Sequence, residues 1–335
     1  MSDVAERAKV SKSTVSHVIN ETRFVEEHTR QRVLRAIEEL DYRPSRIARG
    51  LASQRTNTVG LLISDVGNPF YHQVILGVED VALANDYSMF LFNANYDLDR
   101  SRKYILSMLD RQADGVMFMS SRLSVELLSE LTDNQVPTVV LDWDEIRADG
   151  VGTITVDFET GIREAVEHLV GLGHQQFAHV SGPLDLWTAC VRRDAFLNAL
   201  AQNGIDPSQV VIVEGNLRIE GGRRALLQLL EASPRPTAIF AANDLTALGV
   251  VWEAREHALH IPGDLSVVGL DDIALSAQNT PPLTTVALPC YEIGTTAMEM
   301  LLGLIHDPHL DEQGRRKLMA TSLIVRQSTA VPAGR

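Results

Sequence analysis

Apolar residues in the first forty positions recur every three or four residues, and beyond Thr58 they collect into short runs separated by longer amphipathic stretches. The first pattern predicts helices. A short helix spans 3–8, a turn 8–11 and a second helix 11–20, in which Val15, Val18 and Ile19 share one face while Lys12, Ser13, Ser16, His17 and Asn20 lie away from it. Ser11 heads that helix as an N-cap, its hydroxyl accepting from an open N–H of the first turn. After a loop at 21–26, a third helix over 28–40 carries Val33, Ile37 and Leu40 on one stripe, and Pro44 stops it. With Val4, Ala5, Val15 and Val18 it completes a core so small that the module is marginal alone.

The second pattern is α/β. Runs at 59–63, 88–92, 115–119, 138–141, 177–180, 238–241 and 265–270 alternate with helices such as 70–85 and 98–112, which predicts parallel sheets with right-handed crossovers. The length accommodates two such lobes, the first ending near Asp157. A run at 281–286, a helix at 291–306 and a strand at 323–326 follow. The expected organisation is a small all-α helix-turn-helix head at 1–43, a hinge helix and linker at 44–56, and an α/β body at 57–335. Lobe one takes about 57–157 and 286–312, lobe two about 158–285 and 318–332.

Composition narrows the class. Hydrophobic content of 45% with 22% charged residues is that of a globular protein in water. Cys190 and Cys290 make neither a disulfide framework nor a metal-ligand spacing, which suits a reducing compartment. No signal-peptide pattern opens the chain and no run approaches the roughly 18 apolar residues of a membrane span, so a cytoplasmic protein away from membranes is expected. The net charge of −14 argues against nucleic acid until it is divided: residues 1–57 carry 11 Lys+Arg against 8 Asp+Glu, and Arg43, Arg46, Arg49 and Arg55 occur in a stretch without acids. Phosphate attraction fades within a Debye length of about 8 Å, so a basic head on an acidic body can bind DNA.

Candidate chemistry falls into two groups. Lys12, Ser13, Thr14, Ser16, His17 and Asn20 are short polar or basic side chains on an exposed helix that can enter a major groove. The same pattern also fits an amphipathic helix pair capping a larger domain. In the body, ligands of open α/β sheets bind beyond the carboxyl ends of strands. There the chain places Asn68, Phe70 and Tyr71, then Asp142 and Trp143, Arg192, Asn243 and Asp271. Carboxylates, amides and a guanidinium beside aromatic rings suit a polyhydroxylated ligand, although Asp and Asn at strand ends also cap helices. No nucleophile elbow, phosphate loop or His-Glu-x-x-His occurs, and the adjacent acids Asp271 and Asp272 point to opposite sides of a strand end, so an enzyme is not expected.

Val10-Ser11-x-Ser13-Thr14-Val15-Ser16-His17-Val18-Ile19-Asn20, followed by Arg23-Phe24-Val25, Ala36-Ile37-Glu38-Glu39-Leu40-x-Tyr42-x-Pro44-Ser45 and Ile47-Ala48-Arg49-x-Leu51, resembles the head and hinge of the LacI family of bacterial repressors. The similarity covers nearly all of the chain and is strongest for the purine, ribose and lactose members. It implies a body of two lobes like a periplasmic sugar-binding protein. It places Lys12, Ser13 and His17 at base-reading positions, Arg46 and Arg49 beside the DNA near the hinge, and Leu51 as a wedge in the minor groove. Two departures are visible: Ser2 stands in for the cap that the family carries upstream of Asp3, and Gly50 interrupts the hinge helix at a cost of up to about 1 kcal/mol.

By the same resemblance Asp142, Arg192, Asn243 and Asp271 align with the sugar-contacting set. Leu186 and Leu217 stand where the purine type has Arg and Phe, and Leu288 where the ribose type has a glutamine. A sugar or sugar derivative is therefore the expected effector. Trp143, shared with the purine type, keeps a purine or nucleoside as the second reading. The expected protein is a homodimeric repressor on a pseudopalindromic operator, with no cofactor and no metal. A solute-binding protein without regulatory role is the alternative of another class, and the basic head counts against it.

Overall fold

The computed structural model describes residues 1–20, 23–42, 55–120, 124–141 and 150–333, which divide into two units, Met1–Asn57 and Thr58–Arg335. In the first unit α1 (Ser2–Ala8) ends where Lys9 turns left-handed at φ 53°, and α2 (Lys12–Asn20) begins at Ser11, whose Oγ accepts from the Thr14 N–H at 3.1 Å. The third helix, α3, is Glu27–Glu39. Val4, Ala5, Ala8, Val15, Val18, Val33 and Ala36 form its core.

Two details of the head differ from expectation. Ser2 is the first helical residue rather than the cap; Met1 takes the cap position and supplies no side-chain acceptor. Leu40 stays 44% exposed because α3 ends at Glu39 and Leu40 leaves the helical stripe, so Ala36 packs in its place.

The second unit contains two six-stranded sheets. The first has order β11-β5-β4-β3-β1-β2 and is parallel throughout, with β1 Thr58–Ile63, β2 Ser88–Asn93, β3 Gly115–Met119, β4 Thr138–Leu141, β5 Val151–Asp157 and β11 Arg316–Ala320. The second has order β12-β10-β9-β8-β6-β7, with β6 Phe177–Ser181, β7 Val211–Glu214, β8 Ala238–Ala241, β9 Ser266–Asp271, β10 Thr284–Ala287 and β12 Ser322–Ile324. Among the described strands of this sheet only β12 runs antiparallel to its neighbour. Strand order reverses between β1 and β3 in one sheet and between β6 and β8 in the other, and such switch points open a crevice at the strand carboxyl ends.

The chain passes between lobes three times. It leaves the first after β5, whose successor helix Phe158–Gly171 packs on the helix Trp187–Gln202; it returns after β10 with the helix Cys290–His306; and it leaves again between β11 and β12. The expected second-lobe segment from 318 is corrected here, because Leu318, Met319 and Ala320 pair with β5 in the first sheet. Cys290–His306 lies hard against the helix Phe70–Ala84. A Cβ on Gly294 would meet the Val74 carbonyl, and one on Gly77 the Tyr291 carbonyl, so both positions need glycine for the backbones to approach.

Candidate functional site

Each of β1 to β10 sends a residue from at or beyond its carboxyl end to one cavity between the lobes, in strand order Asn68, Tyr96, Ser120, Leu141, Phe158, Arg192, Leu217, Asn243, Asp271 and Leu288. The space between these residues, with the open solvent at its mouth included, is about 620 Å³.

Asn68 starts the first wall. Its Oδ1 accepts from the Phe70 N–H at 3.0 Å, turning the chain into the helix that carries Phe70 and Tyr71. Those rings meet edge to face, with centroids 4.9 Å apart. Burial pushes the Tyr71 phenol up to about 12, with hydrogen bonds to Ser64 opposing it, so the ring enters the cavity neutral.

Arg192 and Asp271 supply the ionisable groups. Arg192 donates from Nη1 to the Ala242 carbonyl at 2.8 Å and lies over the Phe158 ring at 4.7 Å, an arrangement that holds the guanidinium flat against one wall. Its Nε is buried and has no hydrogen-bond partner. Asp271 ends β9 at φ 123° and is buried. Burial pushes its carboxyl up to about 8; Arg192 pulls it down, Asp244 raises it and a hydrogen bond from Asn68 lowers it. The Asp271 Oδ2 is buried without a partner.

Asn243 does two things at once. Its Oδ1 caps the helix Asp244–Glu256 by accepting from the Thr246 N–H at 3.0 Å and hydroxyl at 2.6 Å, and its Nδ2 donates to the Leu217 carbonyl at 3.0 Å. The helix-capping role is thus present although the residue lines the cavity. The neighbouring acids point elsewhere. Asp244 accepts from Thr285, Ser276 and the Ile273 N–H, and Asp272 lies 2.7 Å from Arg326.

Six residues named from the sequence, Asn68, Phe70, Tyr71, Arg192, Asn243 and Asp271, therefore line one cavity. Asp142 and Trp143 lie outside the described residues. Tyr96, Phe158, Trp187 and Thr188 also line it and were missed. Applying the carboxyl-end rule to β2 and β5 would have reached the first two.

In the head, Lys12 and Ser13 are exposed and Thr14, Ser16 and His17 are half-buried, with Ser16 and His17 on the α2 face away from Val15 and Val18 and Thr14 at its flank. Ser11 Oγ lies 2.7 Å from Ser13 Oγ and 2.8 Å from Thr14 Oγ1, so the start of α2 is a small hydroxyl cluster. Phe24 is 93% exposed. The Asn20 side chain, and Arg46, Arg49 and Leu51, lie outside the described residues. Among the described residues no helix is long and apolar enough to cross a membrane.

Residues 1–45 match the family of bacterial regulatory proteins, lacI family, and residues 166–329 a periplasmic binding protein-like domain. The chain is 38% identical over 310 residues to the HTH-type transcriptional repressor PurR of Aliivibrio salmonicida, covering 92% of each. It is similar in structure to a lac repressor dimer bound to operator and the anti-inducer ONPF, with a TM-score of 0.86, 30% identity and 98% of each chain covered. It is also similar to a ribose-bound LacI family regulator from Enterococcus faecium, with a TM-score of 0.74, 30% identity, and 82% of this chain and 99% of that one covered. Head, body and these relatives agree: the chain belongs to the lacI family of bacterial regulatory proteins.

Proposed function

We propose that the protein is a cytoplasmic, sequence-specific DNA-binding repressor that holds a pseudopalindromic operator as a homodimer and is controlled by a small effector in the cavity between its lobes. Lys12, Ser13, Thr14, Ser16, His17 and Asn20 present the reading face of α2, with Arg46, Arg49 and Leu51 contacting DNA from the hinge. Asn68, Phe70, Tyr71, Asp142, Trp143, Arg192, Asn243 and Asp271 hold the effector. No catalytic step or cofactor is assigned to it.

The observation that carries the effector reading is the pair of buried, unpartnered polar atoms, Arg192 Nε and Asp271 Oδ2, in a cavity flanked by aromatic rings. A hydroxyl can donate to one and accept from the other while a ring stacks on its apolar face, which favours a sugar or sugar derivative. The ribose-bound relative supports this class. A purine or nucleoside is the second reading, supported by the similarity to a purine repressor and opposed by Leu217, which lines the cavity, and Leu186, packed beside it, standing where the purine type has Phe and Arg.

A thermal-shift screen against sugars, sugar phosphates, polyols, nucleosides and purines tests it. A ligand at about 100 times its dissociation constant adds about 2.7 kcal/mol of stability. A sugar hit lost in Arg192→Ala and Asp271→Asn supports the assignment, a purine hit moves the effector to the second reading, and silence across the panel refutes the effector reading.

A further inference from the structure

Beside the cavity the lobes touch through a polar contact. Arg218, the residue before the helix Ile219–Leu230 of the second lobe, donates from Nε and Nη2 to Asp65 Oδ2 at 3.0 and 2.6 Å, and from Nη2 to Asn95 Oδ1 at 2.9 Å. Asp65 and Asn95 follow β1 and β2 of the first lobe. Asp65 is largely buried and its Oδ1 accepts from the Gly67 N–H, so the carboxylate is fixed before it meets the guanidinium.

Each arm of this contact adjoins a residue of the cavity wall. Asn95 is followed by Tyr96, and Leu217 is followed by Arg218. Tyr96 crosses the gap to pack on Leu186, Ala189, Leu217 and Ala242 of the second lobe. Asn95, Tyr96 and Leu217 all have left-handed backbones, at φ 52°, 57° and 60°, a conformation that residues with a Cβ adopt only where surrounding contacts hold them. A polar bridge and an apolar seam thus run side by side, on segments bent to bring them together.

We infer that Arg218, Asp65 and Asn95 form a latch across the lobes that must open for an effector to exchange. An effector displacing Tyr96 or Leu217 moves the residue beside it, so occupancy of the cavity is felt at the latch. As regulation of an effector site this rests on the function proposed above; as a tie between the lobes it stands on the contact alone.

The test is hydrogen exchange by mass spectrometry on the full-length protein without added ligand. Asp65→Asn and Arg218→Ala should each raise exchange in peptides covering 94–97 and 214–219 by roughly two- to fivefold, the scale of a partly exposed ion pair. The double variant should exchange no faster than the stronger single one, because both remove one interaction. Arg223→Ala is the control. It breaks a pair of similar length, Arg223 Nε to Glu253 Oε2 at 2.6 Å, confined to the second lobe, and should leave 94–97 unchanged. Unchanged exchange in the single variants, additive effects in the double variant, or a matching rise at 94–97 in Arg223→Ala would overturn the latch. Asp65→Asn nearly preserves shape and carries the test should Arg218→Ala fail to fold. A ligand screen that finds nothing would sink the effector reading and leave the exchange result intact.

Discussion

Arg192 and Asp271 line one cavity, and each leaves a buried polar atom, Nε and Oδ2, without a hydrogen-bond partner in the protein. A ligand that accepts from the first and donates to the second removes two desolvated deficits at once. Asp271→Asn keeps the shape and replaces the unpartnered carboxyl oxygen and its titrating proton with an amide. Effector affinity should fall about ten- to hundredfold, the scale of leaving a buried polar group unsatisfied, while operator affinity without effector stays at the wild-type value. Calorimetry with the screen hit and an operator-binding assay check the two halves separately, and equal losses in both would refute the separation.

Stability should depend on pH through the same residue. Burial holds the Asp271 carboxyl up at about 8 and that of Asp244 at about 6. In the unfolded chain both titrate near 4. Between about pH 4 and 8 the folded protein therefore holds more protons than the unfolded one, and stability falls as pH rises through that window. Burial holds His179 down at about 4, which works in the opposite sense below about pH 6.5, so the test is the contrast between proteins: the wild-type melting temperature should fall relative to that of Asp271→Asn from about pH 5 to about pH 8. Parallel melting curves for the two proteins would contradict this.

The head is the place where a small core change has a large effect. Val15 is fully buried among a few small apolar residues. Val15→Ala removes two methyl carbons and should destabilise the head by about 1–3 kcal/mol, comparable to all the stability such a small core supplies. Operator binding should disappear while the body's melting transition and effector binding persist, as differential scanning calorimetry and titration would show.

Gly294→Ala tests the contact between the helices Phe70–Ala84 and Cys290–His306. The added Cβ meets the Val74 carbonyl, which belongs to a helix backbone and has little room to yield. A loss of about 1–3 kcal/mol is expected, lowering the body's melting temperature by several degrees. An unchanged melting temperature would mean that the helices can separate without cost.

The sequence was informative where a side chain's role follows from its place on a strand or helix. The stripe of Val15 and Val18 and the cap at Ser11 are local, and both are found. Asn68, Arg192, Asn243 and Asp271 were reachable because each follows an apolar run that reads as a strand. Tyr96 escaped notice because it follows a bend with a left-handed backbone, and no periodicity announces that; Leu217, on a like bend, was named only through the family resemblance. β5 was hidden by Gly152, Thr153 and Thr155, which break up its apolar run, and β11 by Arg316 and Lys317, which mark an edge strand as if it were loop. Leu40 misled because its spacing suits a helix that in fact ends one residue earlier.

The triple passage of the chain between the lobes has a genetic consequence. The first lobe is assembled from 58–157, 290–306 and 316–320, so no single cut in the gene releases it, and recombination between relatives cannot exchange one lobe as a continuous piece. The unit Met1–Asn57 is one uninterrupted stretch. A crossover near Asn57 therefore exchanges head against body as whole cassettes, whereas a change confined to one lobe must arise by substitution within the body.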